Sequence, residues 1–417
     1  MADDPAGSAT ALAESVSAAD IRAAVAAGAG VIRETPVLSS RTLAERTGVT
    51  VALKAENLQR TGSFKLRGAL AKLAALGDGC KAGVVTGSAG NHAQAVAYAA
   101  RTRGVRCEVF MPHAASIGKL EGAKALGAEV LLVGDTVDDA LAAARERAQS
   151  GGLAFIHPFD DPDVVAGQGT LGLELLSQVP DMSRVIVPVG GGGLLSGIAI
   201  AVKSQLPDVE MIGVQVDTCA PFPASLVAGE PVAVESALTI ADGIAVKRPG
   251  RLTLALIKRW VDQILLVPED DVAEAMMFAL ERAKLVVEGA GAVGIAALLG
   301  GRVRADSPGT TVIVLSGGNV DSGLLEQIAR RHESQAGRRL VLLVRLPDRP
   351  GSLARLLSLV GELGANLVDV GHIREGIDLH VRETAVQLVL QTRGTAHAAQ
   401  VTSAVRDAGY SEPSLVV

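Results

Sequence analysis

Four short stretches of the chain carry side chains or bare backbone suited to covalent and anion-binding chemistry. In Thr61-Gly-Ser-Phe-Lys65-Leu-Arg-Gly an amine sits between Phe64 and Leu66. A lysine in apolar surroundings loses hydration, its pKa falls, and the neutral amine becomes a nucleophile toward a carbonyl. Taken alone the segment is weak evidence, because most lysines are solvated surface charges. Gly190, Gly191, Gly192, Gly193 and Leu194 follow an apolar run and precede a helical stretch. Residues without side chains let backbone N–H groups converge on an anion at a helix N-terminus. The alternative is a flexible turn, but a place at the end of a strand favours the phosphate. No Gly-Lys-Ser/Thr follows, and the run does not complete Gly-x-Gly-x-x-Gly, so it is not one of the familiar nucleotide loops.

Ser88-Ala-Gly90-Asn91-His92 lies between the apolar run Gly83–Thr86 and another helical stretch. Such a turn offers N–H groups and an amide to a carboxylate or a ring hydroxyl, or simply caps a helix. Ser316-Gly-Gly-Asn319, after Thr311–Leu315, repeats the theme: its hydroxyl faces a ligand or caps a helix near 322. His157-Pro-Phe-Asp-Asp-Pro162, leading to Ala166-Gly-Gln-Gly-Thr170, reads as a stiff loop running into a helix. Gly289-Ala-Gly291-Ala-Val-Gly294 matches the dinucleotide fingerprint by letter. It follows Glu288 in a helix-like stretch, and no strand ending in an acid lies about 20 residues on, so close helix packing is the better reading. A lysine in an apolar context, an anion nest and two polar strand ends in one sheet are together what pyridoxal phosphate requires. The amine forms the imine, the glycines hold the phosphate and a third group meets the ring nitrogen.

The elements that must position these groups are legible from about residue 83. Apolar runs at Gly83–Thr86, Arg106–Met111, Glu129–Val133, Ala154–His157, Val185–Val189, Met211–Val216 and Thr311–Leu315 alternate with Ala-rich helical stretches. That alternation means an α/β protein with a mostly parallel sheet covered on both faces. Residues 1–17 read as a flexible tail, and Ser17 with Asp20 as a capping box opening a helix that ends near Gly28. Beyond a polar boundary at 330–338 the order changes to strand 339–346, helix Pro350–Gly364, strands Asn366–Ile373 and Thr384–Gln391, helix Ala396–Ala408 and a last strand at 410–416. This βαββαβ order is ferredoxin-like.

Composition narrows the functional classes. Among 417 residues, 48% are hydrophobic and 2% aromatic, so the core must be built of Ala, Val, Leu and Ile. The net charge of −6, without a basic block or interleaved aromatics, argues against nucleic-acid binding. Cys80, Cys107 and Cys219 form no CxxC and have no nearby His, which suits a reducing compartment without disulfides or zinc. Val185–Val202 is uncharged for 18 residues but contains Pro188 and four consecutive glycines, so no membrane span is expected. Met1-Ala-Asp-Asp-Pro is acidic where a secretion signal would be basic, and a soluble, cytoplasmic protein is expected.

These segments resemble the threonine dehydratase (threonine ammonia-lyase) family of pyridoxal-phosphate enzymes, of the tryptophan-synthase-β fold type. The likeness runs over about residues 18–333, read as one catalytic core of two interleaved lobes. It rests on SFKLRGA, SAGNHAQ, HPFDDPDVVAGQGT, GGGGL and SGGN in family order, with ADGIAV at 241–246 as a sixth segment. By this resemblance Lys65 carries the cofactor and later takes the substrate's α-proton. Phe64 flanks the ring, Asn91 bonds the ring's 3-hydroxyl, and Gly190, Gly191, Gly192, Gly193 and Leu194 bind the phosphate. Ser316 meets the pyridine nitrogen, while Ser88, Gly90, Asn91 and His92 cradle the substrate carboxylate. The implied reaction removes water from L-threonine, giving 2-oxobutyrate and ammonia, and from L-serine, giving pyruvate.

The related serine racemases have a second serine after the first one of the Ser88 loop. Here that position is Ala89, which moves no proton. Their divalent-cation site would place a Glu near Gln215; an amide is a weaker ligand for a hard cation, and with only Asp217 nearby no metal is expected. The rivals are a racemase, another hydroxy-amino-acid dehydratase, a cysteine-synthase-like β-replacement enzyme, and an amino-acid sensor with an inactive core.

Residues 338–417 resemble an ACT domain through Arg345-Leu-Pro-Asp-Arg-Pro-Gly351-Ser-Leu353 and Gly364-Ala-Asn366. That likeness implies an amino-acid effector such as isoleucine or valine bound where two such domains pair. Gly351, Leu353, Asn366 and Ile373 are the candidates, in a homodimer or homotetramer. The alternative is a domain that serves only oligomerisation.

Overall fold

The computed structural model describes residues 10–235, 238–305, 308–375 and 378–411. They form two compact units that divide between Asp321 and Ser322.

The first unit opens as its capping box requires. The Ser17 side chain accepts from Asp20 N, the Asp20 carboxylate accepts from Ser17 N, and helix Ala18–Ala24 runs on into a 3-10 turn at Val25–Gly28. Val16 and Ile21 are buried in a cluster with Val165 and Leu256.

Two sheets follow, one per lobe. The smaller has four strands in the order Glu129–Leu132, Cys107–Met111, Val84–Gly87 and Ala154–Phe155, all parallel. The larger has six, in the order Val37–Ser39, Val51–Ala55, Thr310–Leu315, Met182–Pro188, Glu210–Val216 and Gln263–Val267. All its pairings are parallel except that of the first two strands. As the composition demands, both cores are aliphatic. Val185, Val187, Leu195, Ile198, Val312 and Val314 pack in the large lobe, and Leu66, Leu70, Leu73, Val84, Val96 and Val109 in the small one.

Three strands escape the sequence pattern: Val37–Ser39, Val51–Ala55 and Gln263–Val267. In the second of these Lys54 interrupts an apolar run, yet it is fully buried. Its ammonium satisfies all three donors, on Thr35 O at 2.8 Å, Glu174 Oε2 at 2.6 Å and Gln178 Oε1 at 2.8 Å. The Gly289–Gly294 segment lies in helix Gly289–Leu299, as close packing requires. A Cβ on Gly291 would stand 2.7 Å from Gly317 O, and one on Gly294 2.6 Å from Ile313 Cγ2.

The second unit begins with helix Ser322–Gln335 and continues as strand Arg339–Pro347, helix Ser352–Glu362, strands Asn366–Ile373 and Glu383–Gln391, and helix Thr395–Asp407. The strand Glu383–Gln391 lies between the other two, antiparallel to both. Leu342, Val344, Leu346, Val386 and Leu388 cover one face of the sheet and pack with Leu356, Val360, Val401 and Val405. This is an ACT-like topology. Of the expected last strand, Ser411 O accepts from Arg345 N at 2.8 Å, and 412–416 lie outside the described residues.

Candidate active site

The strands Val84–Gly87, Met182–Pro188 and Thr310–Leu315 all end at one cavity of about 380 Å³. Phe64, Lys65, Ser88, Gly90, Asn91, His92, Gly190 to Leu194 and Ser316 all line it. The structure thus brings together every cofactor and substrate residue named from the sequence.

Lys65 is the first residue of helix Lys65–Leu76. The turn before it is pinned to the end of strand Thr310–Leu315: Gly318 N donates to Gly62 O at 2.9 Å and Phe64 N to Ser316 O at 3.1 Å. Thr61 within that turn has φ +64°, a conformation that costs a β-branched residue energy and is sustained by these ties. The Lys65 ammonium donates to Pro158 O at 2.8 Å and stands 5.3 Å from the Phe64 ring centroid. Burial brings its pKa down from 10.5 to about 8, against the opposing pull of the Glu288 charge.

On the facing wall, strand Met182–Pro188 gives way to glycines, and helix Gly193–Lys203 starts with no side-chain cap, Gly192 standing at φ +93°. The first N–H groups of a helix have no intrahelical acceptor. None of those from Gly190 to Leu194 finds another protein acceptor among the described residues. Bare main-chain donors on one side and a weakly basic amine on the other fit an aldehyde that bears a phosphate.

The cradle is closed from behind by Phe159, whose ring occupies the space a Cβ at Gly191 would need. Gly191→Ala is therefore expected to cost about 1–3 kcal/mol through overpacking. The readout is weaker pyridoxal phosphate binding in an absorbance titration of the apo-protein; unchanged binding would contradict the close fit.

His157 builds this wall. Its Nδ1 accepts from Phe159 N at 3.2 Å and Asp160 N at 2.8 Å, and burial lowers its pKa to about 4, so it stays neutral. Asp160 in turn accepts from Arg251 N and Thr253 N at the start of helix Arg251–Trp260.

The Ser88 loop enters helix Asn91–Thr102, with Ser88 Oγ accepting from Gly90 N at 3.2 Å. His92 is buried, its Nε2 lies 3.2 Å from Ile156 O, and its Nδ1 has no partner among the described residues. Burial, and then the nearby Lys65 charge, hold its pKa well below the usual value.

Residues the sequence did not single out complete the site. Glu288 lines the cavity, is 5% exposed, and accepts from Asn91 Nδ2 at 2.7 Å. Burial and then the Asp242 charge push its pKa up to about 7. Its one sequence signal is a lone acid in the apolar run Val286-Val287-Glu288-Gly289. Lys119, on helix Ile117–Ala125, pairs with Asp242 beside the glycines, a bridge between the lobes.

Gln215 is fully buried and its amide is spent on backbone: Nε2 donates to Val189 O and Oε1 accepts from Phe222 N, each at 3.2 Å. Asp217 opens the short turn Asp217–Cys219. The three cysteines are buried, and none forms a disulfide among the described residues.

In the second unit Gly351, at φ +82°, caps helix Ser352–Glu362, and Leu353 packs against that unit's core. Ile373 stands opposite Ala385 and Asn366 opposite Gln391. Gly351, Leu353 and Ile373 thus share one end of the unit, while Asn366 is at the other, about 23 Å away along the strand.

Comparison with known proteins agrees with this geometry. Residues 29–317 match the family model described as pyridoxal-phosphate dependent enzyme. An L-threonine ammonia-lyase of Thermotoga maritima is 44% identical over 94% of this chain and 97% of its own. The solved processed form of threonine deaminase isoform 2 from Solanum lycopersicum is 36% identical with a TM-score of 0.70, covering 74% of this chain and 90% of that one. Maize serine racemase is 35% identical with a TM-score of 0.72, over 77% and 98% of the two chains. No helix among the described residues is long and apolar enough to cross a membrane. With the cofactor family's model covering the lysine, the glycine cradle and the Ser316 strand end, and a relative matched almost end to end, the chain belongs to the pyridoxal-phosphate-dependent threonine ammonia-lyase family.

Proposed function

We propose that the protein deaminates L-threonine to 2-oxobutyrate and ammonia, and L-serine to pyruvate and ammonia, in the cavity around Lys65. The observation that carries this reading is the buried amine of Lys65, with its pKa brought down to about 8, opposite a wall of unaccepted main-chain N–H groups. Pyridoxal phosphate, when bound, supplies the electron sink that makes the substrate's α-hydrogen acidic. Lys65, Phe64, Asn91, Gly190 to Leu194 and Ser316 would hold it.

The chain's own groups do the rest. An amine with a pKa near 8 exists in both protonation states near neutral pH, so Lys65 can accept the α-proton and pass a proton to the departing β-hydroxyl. Ser88, Gly90, Asn91 and His92 place the N-terminus of helix Asn91–Thr102 where a substrate carboxylate is favoured. Ser316 lines the cavity with a neutral hydroxyl, not a carboxylate, and would meet the ring nitrogen. Ala89 provides no acid on that wall, which favours elimination over racemisation. The β-hydroxyl leaves as water, and water later releases the amino group as ammonia, so atoms balance.

Holoenzyme incubated with L-threonine should form 2-oxobutyrate and ammonia in equal amounts, without any thiol. Product only in the presence of sulfide would establish β-replacement instead, and D-serine as the main product from L-serine would establish racemisation. A colourless protein that takes up no cofactor but binds isoleucine would be a sensor.

Cofactor attachment provides a pH test, since only the neutral amine attacks an aldehyde. For apo-protein mixed with pyridoxal phosphate, the initial rate of colour formation should climb with pH and level off above about 8. A rate still climbing toward 10.5 would mean an ordinary, hydrated lysine.

The ACT-like unit is read as regulatory. Isoleucine or valine would bind at the Gly351 end, with Leu353 and Ile373 as neighbours, and Asn366 would join only from a paired copy in a homodimer or homotetramer. Light scattering with and without isoleucine, alongside the threonine assay, tests both parts. A monomer whose activity ignores both amino acids would refute them.

A further inference from the structure

Glu288 takes no part in the steps above, although it is a buried carboxyl on the cavity wall. Its hydrogen bonds show what it is placed to do. Asn319 Nδ2 donates to Thr61 O at 2.7 Å and to Asn91 Oδ1 at 2.8 Å. The Thr61 carbonyl can only accept, so the Asn319 nitrogen must face it, and Asn91 must turn its oxygen toward Asn319. Asn91 Nδ2 then points the other way, and one of its two hydrogens is taken by Glu288 Oε1 at 2.7 Å. A flip of the Asn91 amide would set donor against donor at Asn319 and oxygen against oxygen at Glu288.

The carboxyl is itself held in place. Glu288 N donates to Gly317 O at 3.1 Å, and the carboxyl fills the space where Gly317 would carry a Cβ. Asn91 begins a helix of the small lobe, whereas Ser316 and Gly317 end a strand of the large one. Glu288 therefore joins Asn91, assigned to the ring's 3-hydroxyl, to Gly317, the neighbour of Ser316, which is assigned to the ring nitrogen.

We propose that Glu288 is a positioning residue: it locks the Asn91 amide with a nitrogen-bound hydrogen free for the cofactor, and it ties that amide to the Ser316–Gly317 turn. The assignment rests on the cofactor site described above. Without Glu288 the Asn91 nitrogen loses its acceptor, and only the Asn319 contact still opposes a flip of the amide.

The test compares Glu288→Ala, Glu288→Gln, Asn91→Ala and the double Ala variant. Pyridoxal phosphate dissociation constants, the visible absorption band of the bound cofactor, and kcat and KM for L-threonine are measured for each. Glu288→Ala should weaken cofactor binding about tenfold, the worth of one buried hydrogen bond, and move the band in the same direction as Asn91→Ala. The double variant should be no worse than the poorer single one, because both remove the same contact. Glu288→Gln keeps an oxygen that accepts from Asn91 and should retain the wild-type band.

The proposal fails if Glu288→Ala leaves affinity and band unchanged, if the two losses multiply, or if Glu288→Gln falls as far as Glu288→Ala. Should Glu288→Ala not fold, Asn319→Ala removes the other half of the lock and carries the same expectation for the band. These outcomes are separate from failure of the cofactor assignment itself, which would appear in the wild-type protein as no borohydride-stable adduct on Lys65.

Discussion

Lys65→Ala is expected to lower kcat for L-threonine by about 10⁴-fold or more, the scale set by losing a positioned proton-transfer group, with the covalent attachment lost as well. The variant should fold normally, since the side chain contributes one hydrogen bond, to Pro158 O, and little core packing. Lys119 and Lys247 also line the cavity, so absence of activity alone does not identify the reacting amine. Borohydride reduction followed by peptide mapping should place the adduct on Lys65 in the wild type and nowhere in the variant. A small primary amine added to the variant should restore part of the rate by doing the proton transfer from solution. An adduct on Lys119 or Lys247, or a variant with wild-type kcat, would remove the basis of the functional assignment.

The second large effect lies two residues along the same helix. Arg67 is buried and donates to both oxygens of Glu56 at 2.8 Å, while its third nitrogen reaches Glu174 Oε1 at 2.7 Å. Glu174 also takes the Lys54 ammonium, and Thr35 Oγ1 donates to Glu56 at 2.5 Å, so three buried charges and the partly buried Glu174 close into one neutral set. Burial alone would raise the Glu56 pKa; the Arg67 charge and hydrogen bonds outweigh it and hold the carboxyl below its usual range.

Arg67→Leu strands that carboxylate in the interior. Breaking a buried pair from one side costs about 3–5 kcal/mol. Urea unfolding of the wild type and the variant should show a loss of that size. Removing both partners, Arg67→Leu with Glu56→Leu, should recover part of it, because no uncompensated charge remains. A single variant as stable as the wild type would mean that water or rearrangement reaches the site.

What could be read from the sequence follows physical lines. The strands from Val84 onward are short unbroken apolar runs between helices, and a parallel sheet buried on both faces writes itself that way. Lys54 hides Val51–Ala55, because a charge within an apolar run signals a loop unless its partners are known. Those partners, Glu174 and Gln178, lie more than a hundred residues further on. Gln263–Val267 is hidden for the opposite reason: it is an edge strand, half-exposed and flanked by charge.

At the site, Lys65, the glycines, Asn91 and Ser316 stand in local patterns with a chemical reason behind each. The roles of the Pro158 carbonyl, the Phe159 ring behind the cradle and the Glu288 carboxyl could not be read from their local sequence, because they arise from contacts across the cavity. In the C-terminal unit the turn at Gly351 was legible, but its distance from Asn366 needed the antiparallel register.

The helix that starts at Lys65 belongs to both lobes at once. The turn that leads into its first turn is fastened to Ser316 and Gly318, while Leu66, Leu70 and Leu73 are embedded among the side chains of the smaller sheet. Any swing of the small lobe must therefore pivot near that first turn, as a door pivots on its pin. The reactive nitrogen, which stands beside that pivot, then moves least. Admission and release can then proceed by rotation without disturbing the bond that the chemistry depends on.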